Sequence, residues 1–273
     1  MNLPSLSTIT LSLEEGVAEV RLNRPDKSNA MNDAMWLEIR QAFAWVDATP
    51  EVHVAILSGA GRNFCAGIDL ALLDDIQRRT AHPDGARSRE ALRRLILDLQ
   101  DCLSSVERCR KPVLAAIHGA CIGGALDLVT CCDMRYATAD ALFSVREIDV
   151  GMVADVGTLQ RLPRLIPEGI ARELAFTGRN FLAEEAERYS LINRVFASPE
   201  ALTAAVGELA QAIATKSPLS TRGIKEVMNF SRDHSVGDGL NFVATWNASM
   251  LLSADLNEAI TAQRERRPPR FAD

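Results

Sequence analysis

Residues 118–128 read HGACIGGALDL, and residues 143–160 read FSVREIDVGMVADVGTLQ. Together these two segments contain four carboxylates, which are Asp127, Glu147, Asp149 and Asp155. The residues around them are largely alanine, valine, leucine and glycine, and a charge buried among such residues loses much of its solvation free energy. Few arginines lie nearby in the sequence, so we expect some of these acids to stay unpaired in a pocket. Acid–base catalysis uses carboxyl groups of this kind.

Glycine turns accompany the acids. Gly123-Gly124 leads into the apolar segment ALDLVTCC, which predicts a buried helix, and Gly67 interrupts NFCAGIDL at 63–70, which we interpret as the end of a strand. Glycine lets the backbone approach a ligand closely, and the start of a helix presents free N–H groups. Two such groups that converge on one oxygen would form an oxyanion hole. Either motif alone is equally consistent with a tight packing turn.

The segments before these motifs alternate between strand and helix patterns. Residues 7–23 alternate apolar and polar side chains on both sides of a Glu-Gly pair, which predicts a hairpin. Apolar residues recur at helical spacing from Asn32 onward, and strands are predicted at 52–58, 112–119 and over MRYAT. This order predicts an α/β fold.

The chain changes character near residue 198. Four successive helical patterns follow, with serine or aspartate near their starts. We therefore predict a core with the active site at 1–197 and an all-helical region at 198–273. The apolar stripes of these helices exceed what a solvated set needs, so we expect the second region to dock on another subunit.

Composition excludes several classes of protein. The 273 residues carry a net charge of -6 with a pI near 5.4, which argues against a nucleic-acid surface. The six cysteines form no CxxC pair and have no histidine at ligand spacing, so no metal site is expected. No GxGxxG fingerprint indicates a nicotinamide cofactor. No membrane span or address signal is recognised, and the C-terminal Phe-Ala-Asp matches no peroxisomal signal, so we expect a cytoplasmic protein.

Six motifs, taken in order, resemble those of the crotonase superfamily, also called the enoyl-CoA hydratase/isomerase family. They are LNRPDKSNAMN, NFCAGIDL, HGACIGGALDL, CDMRYAT, FSVREIDVG and VGTLQRLPR. The resemblance implies a spiral of ββα turns with a C-terminal helical oligomerisation region, an acyl-CoA thioester substrate, and no metal or organic cofactor. It also implies a homo-oligomer, either a trimer or a dimer of trimers.

The same resemblance implies a set of binding residues. Backbone N–H groups of Ile68 and Gly124 would form the oxyanion hole. The substrate and CoA contacts would come from Lys27, Cys65, Ala66, Gly67, Ile68, Asp69 and Gly124. Two cations of the tail, Arg222 and Lys225, are further candidates for contacts with phosphate groups.

The acids distinguish reactions within the superfamily. Hydratases carry glutamate at the positions of Asp127 and Glu147, whereas this chain has the shorter aspartate at the first. Asp155 stands where hydratases have glycine, and the segment EIDVGMVADVGTLQRLP resembles that of Δ3,5-Δ2,4-dienoyl-CoA isomerases. The resemblance implies an isomerase of unsaturated fatty acid β-oxidation that moves a proton from C2 to C6 of an acyl-CoA.

We therefore assign Glu147 as the base at C2 and Asp155 as the acid at C6. Asp127 would orient Glu147 or tune its pKa, and Asp149 is interpreted as structural. A 2-enoyl-CoA hydratase that uses Asp127 and Glu147 is the first alternative. A non-catalytic acyl-CoA-binding protein is the second.

Overall fold

A computed structural model describes residues 3–273 as nine strands and eleven helices. The strands are β1 (Ile9–Glu14), β2 (Val17–Leu22), β3 (Val54–Gly59), β4 (Val113–Ile117), β5 (Ala120–Ile122), β6 (Met134–Thr138), β7 (Leu142–Ser144), β8 (Phe181–Leu182) and β9 (Arg194–Phe196). The helices are α1 (Asp33–Ala48), α2 (Leu70–Arg79), α3 (Gly85–Arg108), α4 (Gly124–Thr130), α5 (Thr158–Leu165), α6 (Glu168–Thr177), α7 (Ala183–Arg188), α8 (Pro199–Ala214), α9 (Pro218–Arg232), α10 (Val236–Met250) and α11 (Ala254–Glu265). Two short 3-10 helices cover Pro25–Lys27 and Arg146–Val150.

The main sheet has six strands in the order β1-β2-β3-β4-β6-β9. β1 and β2 form the predicted antiparallel hairpin around Glu15-Gly16, and every other neighbouring pair is parallel. β4 is buried along its whole length, because helices cover both faces of the sheet at its centre. The carboxyl ends of the parallel strands therefore point toward the loops that carry the glycine motifs.

A second sheet has three short strands in the order β5-β7-β8. The sequence patterns did not predict it, because strands of two or three residues carry no readable alternation. Its presence changes two local interpretations. Residues 63–69 are an irregular loop rather than the end of a strand, and an isolated bridge between Cys65 and Cys121 joins this loop to β5. A short strand, β5, precedes the Gly123-Gly124 turn.

The predicted helix after Asn32 is α1. The Asn32 side chain accepts a hydrogen bond from the Met35 N–H, which satisfies one of the free donors at the helix start. The apolar residues that set the predicted period are buried against the sheet, and they are Met35, Ile39, Phe43 and Val46. Burial of four such side chains stabilises the fold by roughly 1.5–3 kcal/mol for each one.

The four helical patterns after residue 198 are α8, α9, α10 and α11. Serine caps the start of each helix, at Ser198, Ser217, Ser235 and Ser253. α8 packs on the second face of the main sheet, where Leu202 and Val206 belong to one buried cluster with Val54 and Leu114. No helix within residues 3–273 has the length and apolar character needed to span a bilayer.

Candidate active site

Two loops from distant parts of the sequence approach each other at the candidate oxyanion hole. Gly67 has φ +92°, and a Cβ placed on it would lie 2.5 Å from the Ile122 carbonyl oxygen and 3.5 Å from the Gly124 nitrogen. A side chain cannot occupy that position, since real Cβ contacts are never so short. The close approach therefore depends on glycine, as the sequence predicted.

The Ile68 and Gly124 amides are both available to a ligand. Within residues 3–273, neither N–H donates to an acceptor in the chain. A Cβ on Gly124 would lie 3.8 Å from the Ile68 nitrogen, so the two groups are neighbours across the loop contact. Gly124 is also the first residue of α4, where helical N–H groups are unpaired and the helix dipole favours negative charge. Two free N–H groups this close together are what an oxyanion hole requires.

The loop that carries Ile68 is held on both sides. The backbone of Cys65 bonds to β5, because its N–H donates to the Ala120 carbonyl and its own carbonyl accepts from Ile122. The Cys65 thiol is buried and donates to the Asn29 carbonyl, and burial raises the pKa of that thiol to about 12. Cys65 thus supports the loop, whereas Ala66 is exposed beside the segment 25–28.

Asp69 closes the same loop. Its side chain accepts a hydrogen bond from the Ala71 N–H at the start of α2 and forms an ion pair with Arg24 at 3.1 Å. Arg24 also donates to the Ala30 carbonyl. Because its carboxylate is engaged by a cation and a helix start, Asp69 is suited to fixing the loop.

The cations expected near phosphate groups differ in their surroundings. Lys27 is exposed at the end of the first 3-10 helix, next to the segment that bonds Ala66. Lys225, in contrast, is buried and pairs with Asp133 at 2.7 Å. Arg222 pairs with Asp273. The expectation that these two tail cations contact phosphate is wrong for this structure, because carboxylates within the chain already neutralise them.

Asp127 is completely buried in the first turns of α4. Its Oδ1 accepts a hydrogen bond from the Thr158 N–H at the start of α5. Burial, reinforced by the negative charge of Glu147, raises the pKa of Asp127 to about 7. Asp127 can therefore hold a proton near neutral pH.

Glu147 lies against the oxyanion loop. Its Oε1 is 3.1 Å from the position of a Cβ on Gly123, so the carboxyl is adjacent to the Gly124 turn. Burial raises the pKa of Glu147 above its ordinary value, and the negative charge of Asp155 adds to this shift. The Glu147 Oε2 and Asp127 Oδ2 atoms are both buried, and neither finds a donor within residues 3–273 while both carboxyls are ionised. A proton on Asp127 would let it donate to Glu147 and keep Glu147 ionised.

Asp155 is the third acid of the site. It lies in the irregular segment between the second 3-10 helix and α5, where it is partly buried. Burial raises its pKa, and no cation within residues 3–273 pairs with its carboxyl. Its charge also acts on Asp127 and Glu147. The structure therefore brings together the three acids that the sequence singled out.

Asp149 differs from these three acids in its environment. It is exposed and forms a 3.0 Å ion pair with Arg146 on the outer side of the same segment. The structural role that the sequence predicted for it agrees with this geometry. Among residues 3–273, no group of three or more His, Cys, Asp or Glu side chains has a geometry that could hold a metal.

Comparison with known proteins shows which family the chain belongs to. The model of the enoyl-CoA hydratase/isomerase family matches residues 12–273. The chain belongs to the enoyl-CoA hydratase/isomerase family. A member from Arabidopsis thaliana, named peroxisomal Δ(3,5)-Δ(2,4)-dienoyl-CoA isomerase, is 47% identical over 98% of this chain and 97% of its own length. The human mitochondrial Δ(3,5)-Δ(2,4)-dienoyl-CoA isomerase is 44% identical over 94% of this chain and 78% of its own length.

Solved structures show the same fold. A hydratase/isomerase family structure from Streptomyces coelicolor A3(2), described as a candidate enoyl-CoA hydratase, superposes with a TM-score of 0.87 at 29% identity. The match covers 99% of this chain and 96% of that one. The family and the crotonase fold that the motifs predicted are both confirmed.

The expectation of a cytoplasmic protein is wrong. The two relatives above are named as peroxisomal and mitochondrial enzymes. We expected a cytoplasmic protein only because no targeting signal was recognised in the sequence. Addresses are short segments that receptors read and that leave no trace in the fold, so such a default has little physical support.

Several supporting residues escaped the sequence analysis. Asn29 is fully buried with φ +54°, and its amide donates to the carbonyls of Ala60, Asn63 and Phe64. Thr158 acts through its backbone N–H, which no side-chain pattern reveals. Asn29 lies inside the motif LNRPDKSNAMN, and its place in that motif was the signal that could have indicated a structural role.

Proposed function

We propose that this chain is a Δ3,5-Δ2,4-dienoyl-CoA isomerase of unsaturated fatty acid β-oxidation, with an acyl-CoA thioester as its substrate. The observation that carries the proposal is Asp155, a half-buried carboxyl without a cation partner beside the buried pair Asp127 and Glu147. Hydration needs two acids around one water, whereas proton transfer between C2 and C6 needs acids at separate places along the acyl chain. The names of the relatives from Arabidopsis thaliana and Homo sapiens agree with this activity.

The reaction begins at C2. Glu147, as a carboxylate, removes a proton from C2, and the C–H electron pair forms a C1–C2 double bond as the thioester oxygen becomes negative. The Ile68 and Gly124 N–H groups donate to this oxygen. In acyl transfer, one such donor contributes on the order of 3 kcal/mol to transition-state stabilisation. A protonated Asp127 that donates to Glu147 would keep the base ionised.

The reaction ends at C6. The electrons on the oxygen return to the carbonyl, the double bonds shift to C2–C3 and C4–C5, and the C5–C6 pair takes the proton of Asp155. One proton leaves and one arrives, so no cofactor is required. Glu147 ends protonated and Asp155 ionised, and proton exchange with solvent restores both acids for the next turnover. Burial favours the protonated form of Asp155, which the donating role needs.

Binding of the CoA portion falls to the loops at the mouth of this site. Ala66 is exposed next to the segment that ends at Lys27, and Gly67 brings Ile68 to the thioester. Asp69 and Cys65 hold that loop in place. We include Lys27 as an exposed cation next to the segment that bonds Ala66, and no carboxylate within residues 3–273 pairs with it.

We also propose that the enzyme is a homo-oligomer whose subunits meet through the helical region 198–273. α9 and α10 expose apolar side chains to solvent, which monomeric proteins normally avoid over large contiguous areas. These residues are Ile224, Met228, Val236 and Leu240. A groove of about 960 Å³ along α9, α10 and α11 adds to this surface.

The isomerisation assay tests the function directly. A 3,5-dienoyl-CoA that becomes a 2,4-diene gains near-ultraviolet absorbance, and Asp155→Asn should lower kcat at least about 100-fold. Binding of a saturated acyl-CoA, measured by calorimetry, should stay within about twofold, since the oxyanion hole is intact. Asp149→Asn is the matched control on the same segment and should keep wild-type activity.

Other results of this assay would favour the alternatives. Loss of absorbance with a 2-enoyl-CoA and no reaction with the diene would indicate a hydratase. Thioester binding without turnover of either substrate would indicate a binding protein. Full isomerase activity in Asp155→Asn would contradict the assigned role of Asp155.

A further inference from the structure

The backbone around Asp155 is held by one side chain from another element. Residues 153–156 belong to no helix or strand. Gln100 on α3 donates from Nε2 to the Asp155 carbonyl at 2.6 Å. Within residues 3–273, this is the only hydrogen bond that another element makes to the backbone of 153–156.

Gln100 belongs to a polar stripe on α3. Ser104 and Glu107 follow it at the i+4 and i+7 positions, so the three side chains share one face of the helix. Arg161 on α5 donates to Ser104 Oγ at 3.1 Å and to Glu107 Oε2 at 2.8 Å. The stripe therefore binds both the Asp155 segment and the helix that follows it.

On the side that faces α3, this segment borders a cavity instead of packed side chains. A cavity of about 430 Å³ is bounded by the stripe on one side and by Val156 and Gly157 on the other. Ala154 and Val156 anchor their side chains in the core, but the peptide between them faces the stripe. Since dispersion contacts are missing on the cavity side, the hydrogen bond from Gln100 is what holds the Asp155 peptide on that side.

We propose that Gln100 is a positioning residue that sets the place of Asp155 at the distal end of the acyl chain. This inference rests on the proposed function, in which Asp155 supplies the proton at C6. Loss of the Gln100 bond would let the peptide move into the cavity and withdraw the carboxyl from C6. A displaced carboxyl slows the reaction, because proton transfer requires the acid to lie within hydrogen-bond reach of the carbon.

The two half-reactions respond differently to this change. Removal of the C2 proton depends on Glu147 and the oxyanion hole, neither of which contacts Gln100. Protonation at C6 depends on Asp155. A positioning role therefore predicts slow isomerisation with preserved exchange of the C2 hydrogen, whereas general damage to the fold would slow both.

The experiment compares Gln100→Met and Gln100→Glu with the wild type. Methionine has a similar shape and cannot donate, and an ionised glutamate keeps the length but only accepts. We expect either variant to lower kcat for isomerisation about tenfold, the loss that corresponds to one hydrogen bond. KM should change less than about twofold. Exchange of C2 deuterium into unreacted 3,5-dienoyl-CoA in heavy water, followed by mass spectrometry, should stay at the wild-type rate.

Gln160→Met is the matched control. Gln160 lines the same cavity from α5, and its side chain makes no hydrogen bond within residues 3–273. This variant should isomerise the diene at the wild-type rate. Thermal unfolding of all three variants reports whether the fold is intact.

The outcomes separate the inference from the proposed function. Wild-type kcat in both Gln100 variants, or an equal loss of isomerisation and C2 exchange, would overturn the positioning role while the isomerase assignment stands. A wild type that does not isomerise the diene would overturn both. Slow isomerisation with normal C2 exchange in the Gln100 variants alone supports the inference.

Discussion

Asp127 is the carboxyl whose protonation the fold changes most at the site. Its surroundings are apolar, and its one donor within residues 3–273 is the Thr158 N–H. Burial and the Glu147 charge raise its pKa from an ordinary 3.8 to about 7. The folded protein therefore keeps a proton that the unfolded chain releases between about pH 4 and 7.

This shift predicts how Asp127→Asn changes stability with pH. In the wild type, the unfolded state binds fewer protons than the folded state over that range, so this group makes stability fall as pH rises. Asparagine stays neutral and can still accept from Thr158. We expect the free energy of unfolding of Asp127→Asn, relative to the wild type, to improve by roughly 3 kcal/mol between pH 4 and 8.

Urea denaturation at several pH values measures this difference. Asp149→Asn is the control, because its surface ion pair with Arg146 contributes at most about 1 kcal/mol. A flat difference for Asp127→Asn across the range would show that Asp127 is ionised in the folded protein at acidic pH.

The sequence singled out three acids, and the structure brings them together, but no pattern in the sequence indicated how they could share protons. Asp127, Glu147 and Asp155 stood out because carboxylates are rare among alanine, valine and glycine. The proposed proton sharing depends on the Thr158 N–H at Asp127 and on the Glu147 carboxyl beside Gly123. Such contacts join residues far apart in sequence, and no local pattern encodes them.

At the scale of elements, the Gly67 turn is the feature that most restricts substitution. Gly67→Ala would force its Cβ to within 2.5 Å of the Ile122 carbonyl, in a backbone conformation that disfavours side chains. We expect the loop to shift and the Ile68 N–H to leave the oxyanion hole. Turnover should fall at least about 100-fold, the effect of losing one oxyanion donor.

Gly207→Ala provides the control for this change. Gly207 lies inside α8, and a Cβ there meets no atom within 4 Å. Alanine should leave kcat unchanged and stabilise the helix by roughly 0.5–1 kcal/mol. Steady-state kinetics and thermal unfolding of both variants distinguish the two effects. Wild-type turnover in Gly67→Ala would contradict the assignment of Ile68 as a donor.

Elements with strong local signals were predictable. The hairpin around Glu15-Gly16, α1 after its Asn32 cap and the serine-capped tail helices follow from periodicity and capping. β5, β7 and β8 were missed because each is held by its neighbours rather than by its own pattern. α2 was missed as well, because its ten residues are too few to show a clear apolar period.

At the scale of the whole molecule, the apolar surface of the tail predicts the assembly. Met228 and Leu240 are 67% and 63% exposed on α9 and α10. We expect light scattering to give about three or six times the chain mass of 29.8 kDa. Leu240→Asp should shift the mass toward the monomer, because an unpaired charge in a subunit contact is costly to desolvate.

Leu37→Asp is the control for the assembly test. Leu37 is 47% exposed on α1, outside the helical region. Leu37→Asp should leave the mass of the assembly unchanged. A monomeric wild type at micromolar concentration would contradict the proposed role of residues 198–273.

The contact between the Cys65 loop and β5 has a consequence for how the protein matures. The Ile68 and Gly124 N–H groups lie on segments separated by α2, α3 and β4. Backbone hydrogen bonds between residues 64–65 and 118–122, together with the Gly67 approach, join these segments. Contacts between distant segments close only after the intervening chain has collapsed. Affinity for the thioester should therefore appear at the last stage of refolding, so that a newly made chain gains its ligand only when its sheet is complete.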